Sequence, residues 1–152
     1  MWFMNRIANP LVRLLLRSPL HGLMSASVLL ITYRGRKTGK AHTLPTQYAR
    51  DGSQVYIVVG MPEQKTWWRN LRGGQAVSLT LAGKVVPGQA VIVDGSSDRE
   101  LAARALACYV SRFPSAARLR NIRREPDGSL NRDDLRQAAG SLIAVQVDLE
   151  NC

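Results

Sequence analysis

The chain has 152 residues, 45% of them hydrophobic and 21% charged, a balance typical of one folded domain with a sizeable core. Its two cysteines, Cys108 and Cys152, are too few and too far apart for a disulfide framework or a cysteine metal site, and they fit a reducing cytoplasm. The formal net charge is +10, and residues 1–50 contain eight arginines and lysines but no acidic residue. This bias favours an anionic partner (a phosphorylated cofactor, a membrane surface or a nucleic acid), with a merely basic protein as the alternative.

Residues 3–17 have the pattern of an amphipathic helix, with four aliphatic side chains between Ile7 and Leu15 on one stripe. The apolar part is too short to span a bilayer, and no convincing signal-peptide cleavage site follows it. Two interpretations stay open. The helix packs on the domain, or it lies on an anionic membrane with Trp2 and Phe3 in the interface.

From residue 27 onwards, runs of β-forming residues alternate with turn signals, of which Asp51-Gly52 is a strong hairpin signal. Hairpins follow one another, and helices are inserted between them rather than alternating with strands. This order predicts an α+β fold, an antiparallel barrel decorated by helices. The predicted strands are 27–33, 42–49, 54–59, 76–81, 84–93 and 141–149, and the predicted helices are 66–71, 98–109 and 115–124.

Three local features refine this prediction. Ser96 or Ser97 is expected to cap the helix at 98–109. Pro87-Gly88 inside the fifth strand indicates a bulge or a sheet edge. The polar stretch 123–137, which contains Pro126-Asp127-Gly128, is predicted to be the mobile loop.

Residues 33–40 read Tyr-Arg-Gly-Arg-Lys-Thr-Gly-Lys and form the tip of a predicted hairpin. Glycines let successive N–H groups converge, and the cations add charge, so the stretch predicts a phosphate-binding loop. It is not a Walker loop, because only three residues separate Gly35 from Gly39 and Ala41 stands where a magnesium-binding hydroxyl is needed. The sequence also lacks a Rossmann fingerprint and a nucleophile elbow, and its two histidines lack metal-ligand spacing.

Residues 65–71 read Lys-Thr-Trp-Trp-Arg-Asn-Leu. Neighbouring residues on a helix point about 100° apart, so Trp67 and Trp68 cannot face the same core. One is expected to pack inward with Leu71 while the other borders a cleft or an interface; two core tryptophans are the alternative. Asn70 suits a binding site because its amide both donates and accepts hydrogen bonds.

Taken in order, these segments resemble the deazaflavin-dependent nitroreductase family. The resemblance runs from about residue 18 to residue 93 and is carried by the loop at 33–40, Leu44-Pro45, Arg50-Asp51-Gly52, a Val/Ile strand ending at Gly60, and residues 67–71. The loop before Trp67 is shorter than in many members. The resemblance implies a split β-barrel of the flavin-reductase or pyridoxamine-phosphate-oxidase type. It also implies an enzyme that transfers hydride from reduced coenzyme F420 to a lipophilic acceptor such as a quinone.

Carried over by position, the resemblance implies three groups of cofactor-binding residues. The basic loop would grip the phosphate and the acidic tail, the following strand and the turn after residue 58 would border the ring, and the tryptophan segment would close the other side. These residues are Arg36, Lys37 and Thr38; His42, Thr43, Leu44, Pro45, Thr46 and Gln47; Val58, Val59, Gly60 and Met61; and Thr66, Trp67, Trp68, Arg69 and Asn70.

The chain departs from the family pattern at two places. His42 stands where the family usually has arginine, although a protonated imidazole would still donate to an anion. Residues 113–115 (Phe-Pro-Ser) are followed by Ala-Ala-Arg, without the tyrosines that nitroreducing members use on their substrate, so nitro reduction by that route is not expected. No catalytic residue is assigned; Ser115, Tyr109 and Tyr48 are candidate proton donors.

The expected organisation is a single domain over residues 1–152: an N-terminal helix (1–17), a cofactor-binding barrel region (18–93), and a helical segment with a closing strand (94–152). The expected location is cytoplasmic, with residues 1–17 in contact with the inner face of the membrane, and both monomer and homodimer stay open. One alternative is an FMN- or haem-binding relative of the same fold. The other is a non-enzymatic basic protein that binds acidic lipid or nucleic acid, the latter disfavoured because the arginine-rich stretch 112–136 has few aromatic residues to stack on bases.

Overall fold

The computed structural model describes residues 27–150, so the predicted helix at 1–17 lies outside the described residues. Within this range the strands are β1 (Val28–Arg34), β2 (Ala41–Gln47), β3 (Ala49–Asp51), β4 (Gln54–Val58), β5 (Gln75–Leu81), β6 (Lys84–Asp94) and β7 (Ile143–Leu149). Two 3-10 turns cover Pro62–Gln64 and Trp67–Leu71, and the helices are α1 (Arg99–Arg112), α2 (Ser115–Leu119) and α3 (Arg132–Ala139). No helix among residues 27–150 is long and apolar enough to cross a bilayer.

The seven strands form one antiparallel sheet in the order β2-β1-β5-β6-β7-β4-β3. Three sequential hairpins build most of it, and β7 is inserted between β6 and β4. The strands β2 and β4 lie near opposite ends of this order yet contact each other, because the sheet curls. The predicted split antiparallel barrel with helical insertions is therefore confirmed.

Alternation along the strands separates two hydrophobic cores. On β4, Val55 and Ile57 enter the barrel core, whereas Tyr56 faces the helices on the other side of the sheet. The barrel core also receives Leu71 from the second 3-10 turn. The outer core is formed mainly by α1, whose Leu106 is fully buried. The curled sheet thus leaves the second 3-10 turn on its inner side and the three helices on its outer side.

The bulge predicted as one alternative at Pro87-Gly88 is absent, and the other alternative, a sheet edge, holds only on the β7 side of Pro87. β6 is a central strand whose ladder with β5 continues past both residues in unbroken register, while its ladder with β7 ends at Gly88. Proline is tolerated because β7 ends here. The Pro87 carbonyl accepts a hydrogen bond from the Glu150 amide at 2.9 Å, so the Pro87 nitrogen, which has no hydrogen to donate, faces the end of the β6–β7 ladder. Glycine is required because a Cβ at position 88 would lie 2.6 Å from Cγ1 of Val147.

Residues 123–137, predicted as a loop, contain secondary structure. A bridge joins Arg124 to Leu130, and α3 begins at Arg132. The Arg123 amide and side chain both donate to the Asp134 carboxylate, with Nε 2.7 Å from Oδ2, and these hydrogen bonds lower the pKa of that carboxyl. Both pairs lie within the stretch itself, and its polar composition alone did not indicate them.

The predicted cap of the first long helix was also wrong. α1 is capped by Asp98, whose side chain accepts a hydrogen bond from the Leu101 amide at 3.1 Å. The Ser96 hydroxyl instead donates to Oδ1 of Asp94, a contact that lowers the pKa of Asp94. α1 continues to Arg112, three residues beyond its predicted end, whereas α2 ends at Leu119, five residues short of its predicted end.

Gly95→Ala should destabilise the fold. A Cβ at this position would overlap the carbonyl oxygen of Ala139 at the end of α3, so the backbone has to move, and we expect the free energy of unfolding to fall by about 2 kcal/mol. Urea denaturation measures the change. Gly60→Ala is the matched control, because no atom lies within 4 Å of its added Cβ. Equal stability of the two variants would contradict this packing of α3 against the end of β6.

Candidate functional site

A cavity of about 700 Å³ opens between β2 and the segment that contains the second 3-10 turn. Its volume lies within the usual range for small-molecule sites. The residues that line it are Tyr33, His42, Thr43, Leu44, Pro45, Thr46, Gln64, Lys65, Thr66, Trp67 and Asn70. Eight of these were predicted from sequence as cofactor-binding residues. Tyr33, Gln64 and Lys65 were not.

Three rings form an aromatic wall on this cavity: Tyr33, His42 and Trp67. Tyr33 and His42 are direct partners in the register of β1 and β2, and their ring centroids lie 5.5 Å apart. The centroid of Trp67 lies 6.0 Å from that of Tyr33. Burial raises the pKa of the Tyr33 phenol, so it stays protonated at neutral pH. The wall thus offers flat apolar surface together with hydrogen-bonding groups.

The tryptophan pair divides as the sequence predicted. Trp68 is only 4% exposed and packs in the barrel core with Leu71, while its Nε1 donates to the Pro62 carbonyl at 3.0 Å. Trp67 is half-buried and lines the cavity. Neither Trp68 nor the exposed Arg69 is among the lining residues, although both were predicted to close the ring site.

The basic loop (residues 35–40) is a closed turn between β1 and β2. The Gly35 amide donates to the Lys40 carbonyl, and the Gly39 amide donates to the Gly35 carbonyl, each at 2.9 Å. Gly39 has φ +69°, a conformation that favours glycine. Thr38 Oγ1 accepts a hydrogen bond from the Lys40 amide at 3.3 Å. The loop is therefore fixed by its own backbone, and its cations Arg36, Lys37 and Lys40 are exposed.

The basic loop docks onto the second 3-10 turn. The Arg36 amide donates to Oδ1 of Asn70 at 3.0 Å, and the Arg36 guanidinium donates to the Arg69 carbonyl at 3.3 Å. Arg36, Lys37 and Thr38 are exposed and lie beside the cavity rather than among its lining residues. Lys65, half-buried in the lining, supplies a cation within the cavity itself.

Other predicted residues lie elsewhere. Val59, Gly60 and Met61 line a second, smaller cavity of about 250 Å³, together with Arg120 and residues near the start of β7. Val58 packs against the outer core. Their predicted place beside the ring stays a prediction.

Gln47, which was predicted to line the edge of the ring, and the candidate proton donors also lie outside the main cavity. Gln47 is exposed, and its Oε1 accepts a hydrogen bond from the Tyr109 hydroxyl at 3.3 Å. Ser115 is exposed at the start of α2, and burial raises the pKa of the partly buried Tyr48. None of these hydroxyls is among the groups that line the main cavity.

Sequence reasoning missed Tyr33 and Lys65, although both carried a signal. Tyr33 sits directly across from His42 once the hairpin register is set. Strand alternation then places both rings on one side of the sheet. Lys65 immediately precedes the predicted segment 66–70 and turns toward the same cavity.

Solved structures of similar fold include F420-dependent enzymes. An F420-H2 dependent reductase, FDR-A, is 20% identical with a TM-score of 0.56, over 82% of this chain and 94% of that chain. A structure described as a domain-swapped dimer has the same identity and TM-score, over 93% and 94%. HutZ, a heme storage protein from Vibrio cholerae, is 15% identical with a TM-score of 0.51, over 90% and 92%. At these identities the neighbours show the fold alone.

No curated protein matches the chain in sequence. The family model described as F420H2-dependent quinone reductase matches residues 18–119, well over half of the chain. The matched residues include the basic loop, β2 and the tryptophan segment, which together form the cavity and its rim. The chain therefore belongs to the F420H2-dependent quinone reductase family and is an F420H2-dependent oxidoreductase whose coenzyme is F420.

Proposed function

We propose that the main cavity binds coenzyme F420, with the deazaflavin ring against the aromatic wall and the anionic arm on the basic loop. One contact carries this proposal: the Arg36 amide donates to the Asn70 side chain at 3.0 Å, which joins the basic loop to a residue of the cavity lining. A positively charged loop and a flat aromatic surface therefore share one rim. A coenzyme with a planar ring at one end and a phosphodiester and glutamate tail at the other fits this arrangement.

The cations of the rim would hold the anionic arm. Arg36 and Lys37 are exposed on the basic loop, and Lys65 lies within the cavity, so charge continues from the rim inward. The loop itself contains no acidic residue. Because the turn is closed by its own backbone hydrogen bonds, little order has to be imposed on it when an anion binds.

The apolar part of the cavity would orient the ring. Leu44 and Pro45 of β2 and Trp67 all line the cavity, and all three are half-buried. When bound, reduced F420 supplies the hydride, while these side chains position the ring and exclude water. Tyr33, a neutral phenol beside His42, keeps a proton at the cavity wall. Among the described residues, the lining contains no Asp, Glu or Cys.

The acceptor is proposed to be a quinone, which the name of the family supports. A quinone is planar and lipophilic, and Leu44 and Trp67 give the cavity lining apolar and aromatic surface that suits such a molecule. Contact of residues 1–17 with the inner face of the cytoplasmic membrane, where lipophilic quinones reside, is proposed from the sequence pattern alone. Monomer and homodimer are both compatible with the fold.

Lys37→Ala should raise the Kd for reduced F420 about tenfold, because a charge-assisted contact to the anionic arm is lost. Titration of the purified protein, followed by coenzyme fluorescence or calorimetry, measures this change, and the salt dependence of the affinity should weaken in parallel. Lys84→Ala is the control, since this lysine begins β6 beside the β5–β6 turn, at the opposite end of the strands from the basic loop. If both variants bind like the wild type, Lys37 does not hold the arm.

The tryptophan pair allows binding to be separated from stability. Trp68→Ala should lower the free energy of unfolding by about 3 kcal/mol or more, because this ring is almost fully buried. Trp67→Ala should change stability much less but should raise the Kd for F420 about tenfold, since one aromatic face of the site is removed. Denaturation and coenzyme titration on both variants measure the two effects. A Trp67 variant with wild-type affinity would remove that ring from the site.

A further inference from the structure

The side chain of Gln75 lies at the junction of three segments. Its Oε1 accepts a hydrogen bond from the Arg34 amide at 2.7 Å, and its Nε2 donates to the Arg34 carbonyl at 3.0 Å. The same Nε2 lies 3.3 Å from the Asn70 carbonyl oxygen. Gln75 is half-buried and is not among the residues that line the cavity. One amide therefore contacts the root of the basic loop and the second 3-10 turn together.

This side chain replaces a missing rung of the sheet. The ladder between β1 and β5 pairs Leu30, Ile31 and Thr32 with Thr80, Leu79 and Ser78, and it ends before Arg34 is reached. The main-chain amide and carbonyl of Arg34 still point toward β5, since both bond to Gln75. The Gln75 amide thus satisfies both groups, as the backbone of a neighbouring strand would.

The backbone before Gln75 explains how it reaches this position. Gly73 and Gly74 have φ values of +84° and +88°, which let the chain turn sharply from the second 3-10 turn into β5. The Gly74 amide donates to the Leu71 carbonyl at 3.0 Å and closes this turn. The first residue of β5 is therefore held beside the end of β1.

A second side-chain amide continues the connection. Oδ1 of Asn70 accepts from the Arg36 amide at 3.0 Å, and Nδ2 of Asn70 donates to the Trp67 carbonyl at 2.9 Å. The backbone N–H groups of Arg34 and Arg36, where the chain enters the basic loop, are thus held by the side-chain amides of Gln75 and Asn70. These two are joined to each other through Gln75 Nε2 and the Asn70 carbonyl.

We infer that Gln75 is a positioning residue: it fixes the basic loop relative to Trp67 and thereby sets coenzyme affinity without touching the coenzyme. This inference rests on the proposed binding mode. The cations of the basic loop are exposed, so the position of their charges depends on the backbone that carries them. Loss of the Gln75 contacts frees the root of that backbone, and the order has to be restored on binding.

Gln75→Met tests the inference, because methionine keeps the length of the side chain and removes its hydrogen bonds. We expect the Kd for F420 to rise about fivefold, as for the loss of neutral hydrogen bonds. Gln89→Met, at an exposed position on the neighbouring strand β6, is the matched control and should bind like the wild type. Gln75→Thr, which suits a strand, provides a second variant with the same expected rise, should the methionine variant fold poorly. Wild-type affinity in the folded Gln75 variants would overturn the inference.

A double-mutant cycle with Lys37→Ala distinguishes positioning from general destabilisation. If Gln75 acts by aiming the loop, its substitution should raise the Kd by less than about twofold once Lys37 is absent, so the two effects are not additive. Full additivity would overturn the inference, because a merely structural loss affects both backgrounds equally.

Amide hydrogen exchange followed by NMR provides a readout that needs no coenzyme. In Gln75→Met the Arg34 and Arg36 amides should exchange faster, while amides in the centre of β6 keep their wild-type rates. Unchanged exchange at Arg34 would overturn the inference even if the proposed function holds. Failure of the wild-type protein to bind F420 in this cavity would overturn the proposed binding mode and, with it, the inferred effect of Gln75 on affinity. Faster exchange in Gln75→Met would then show only that Gln75 holds the loop.

Discussion

The hydrogen bond between the Arg36 amide and the Asn70 side chain is the contact on which the rest of the site depends. It connects two segments that are 34 residues apart in the sequence. On one side is a tight turn that carries several cations; on the other is a 3-10 turn that directs Trp67 toward the cavity and Trp68 into the core. Curling of the sheet brings these segments within reach, but a polar side chain fixes their relative position. Together with the Arg36 guanidinium on the Arg69 carbonyl and the Gln75 amide, this contact holds the charged rim against the tryptophan segment.

Much of the fold was predictable because its signals are local. The strand pattern, the Asp51-Gly52 hairpin and the opposite directions of Trp67 and Trp68 all follow from periodicity or turn chemistry. At Pro87-Gly88, by contrast, partners distant in the sequence decided the outcome. Pro87 and Gly88 occupy a central strand because of where β7 ends and how closely Val147 approaches. The extent of the barrel region, residues 18–93, and of the closing segment, 94–152, stays a prediction.

For the site, the sequence identified the segments but not the pairing of their side chains. The family resemblance indicated β2 and the tryptophan segment, and both line the cavity. The contribution of Tyr33 is seen only from the register that places it across from His42. The contribution of Gln75 is seen only because the β1–β5 ladder ends early. Neither relation is visible in a linear motif, because each depends on which residues of separate strands face each other. Val59, Gly60 and Met61 line a different cavity, and their place beside the ring stays a prediction.

The register also explains the proline in β2. The backbone N–H and C=O of Arg34 point toward Gln75, away from β2. Because the direction of these groups alternates along a strand, those of Leu30 also point away from β2. The nitrogen of Pro45, which lies opposite Leu30, therefore faces away from β1. Within residues 27–150, that side of β2 is the outer edge of the sheet. An extended segment from another molecule could not form a continuous ladder there, because a donor is missing at mid-strand. The ring of Pro45, which lines the cavity, thus also protects the outer edge of β2 against aggregation.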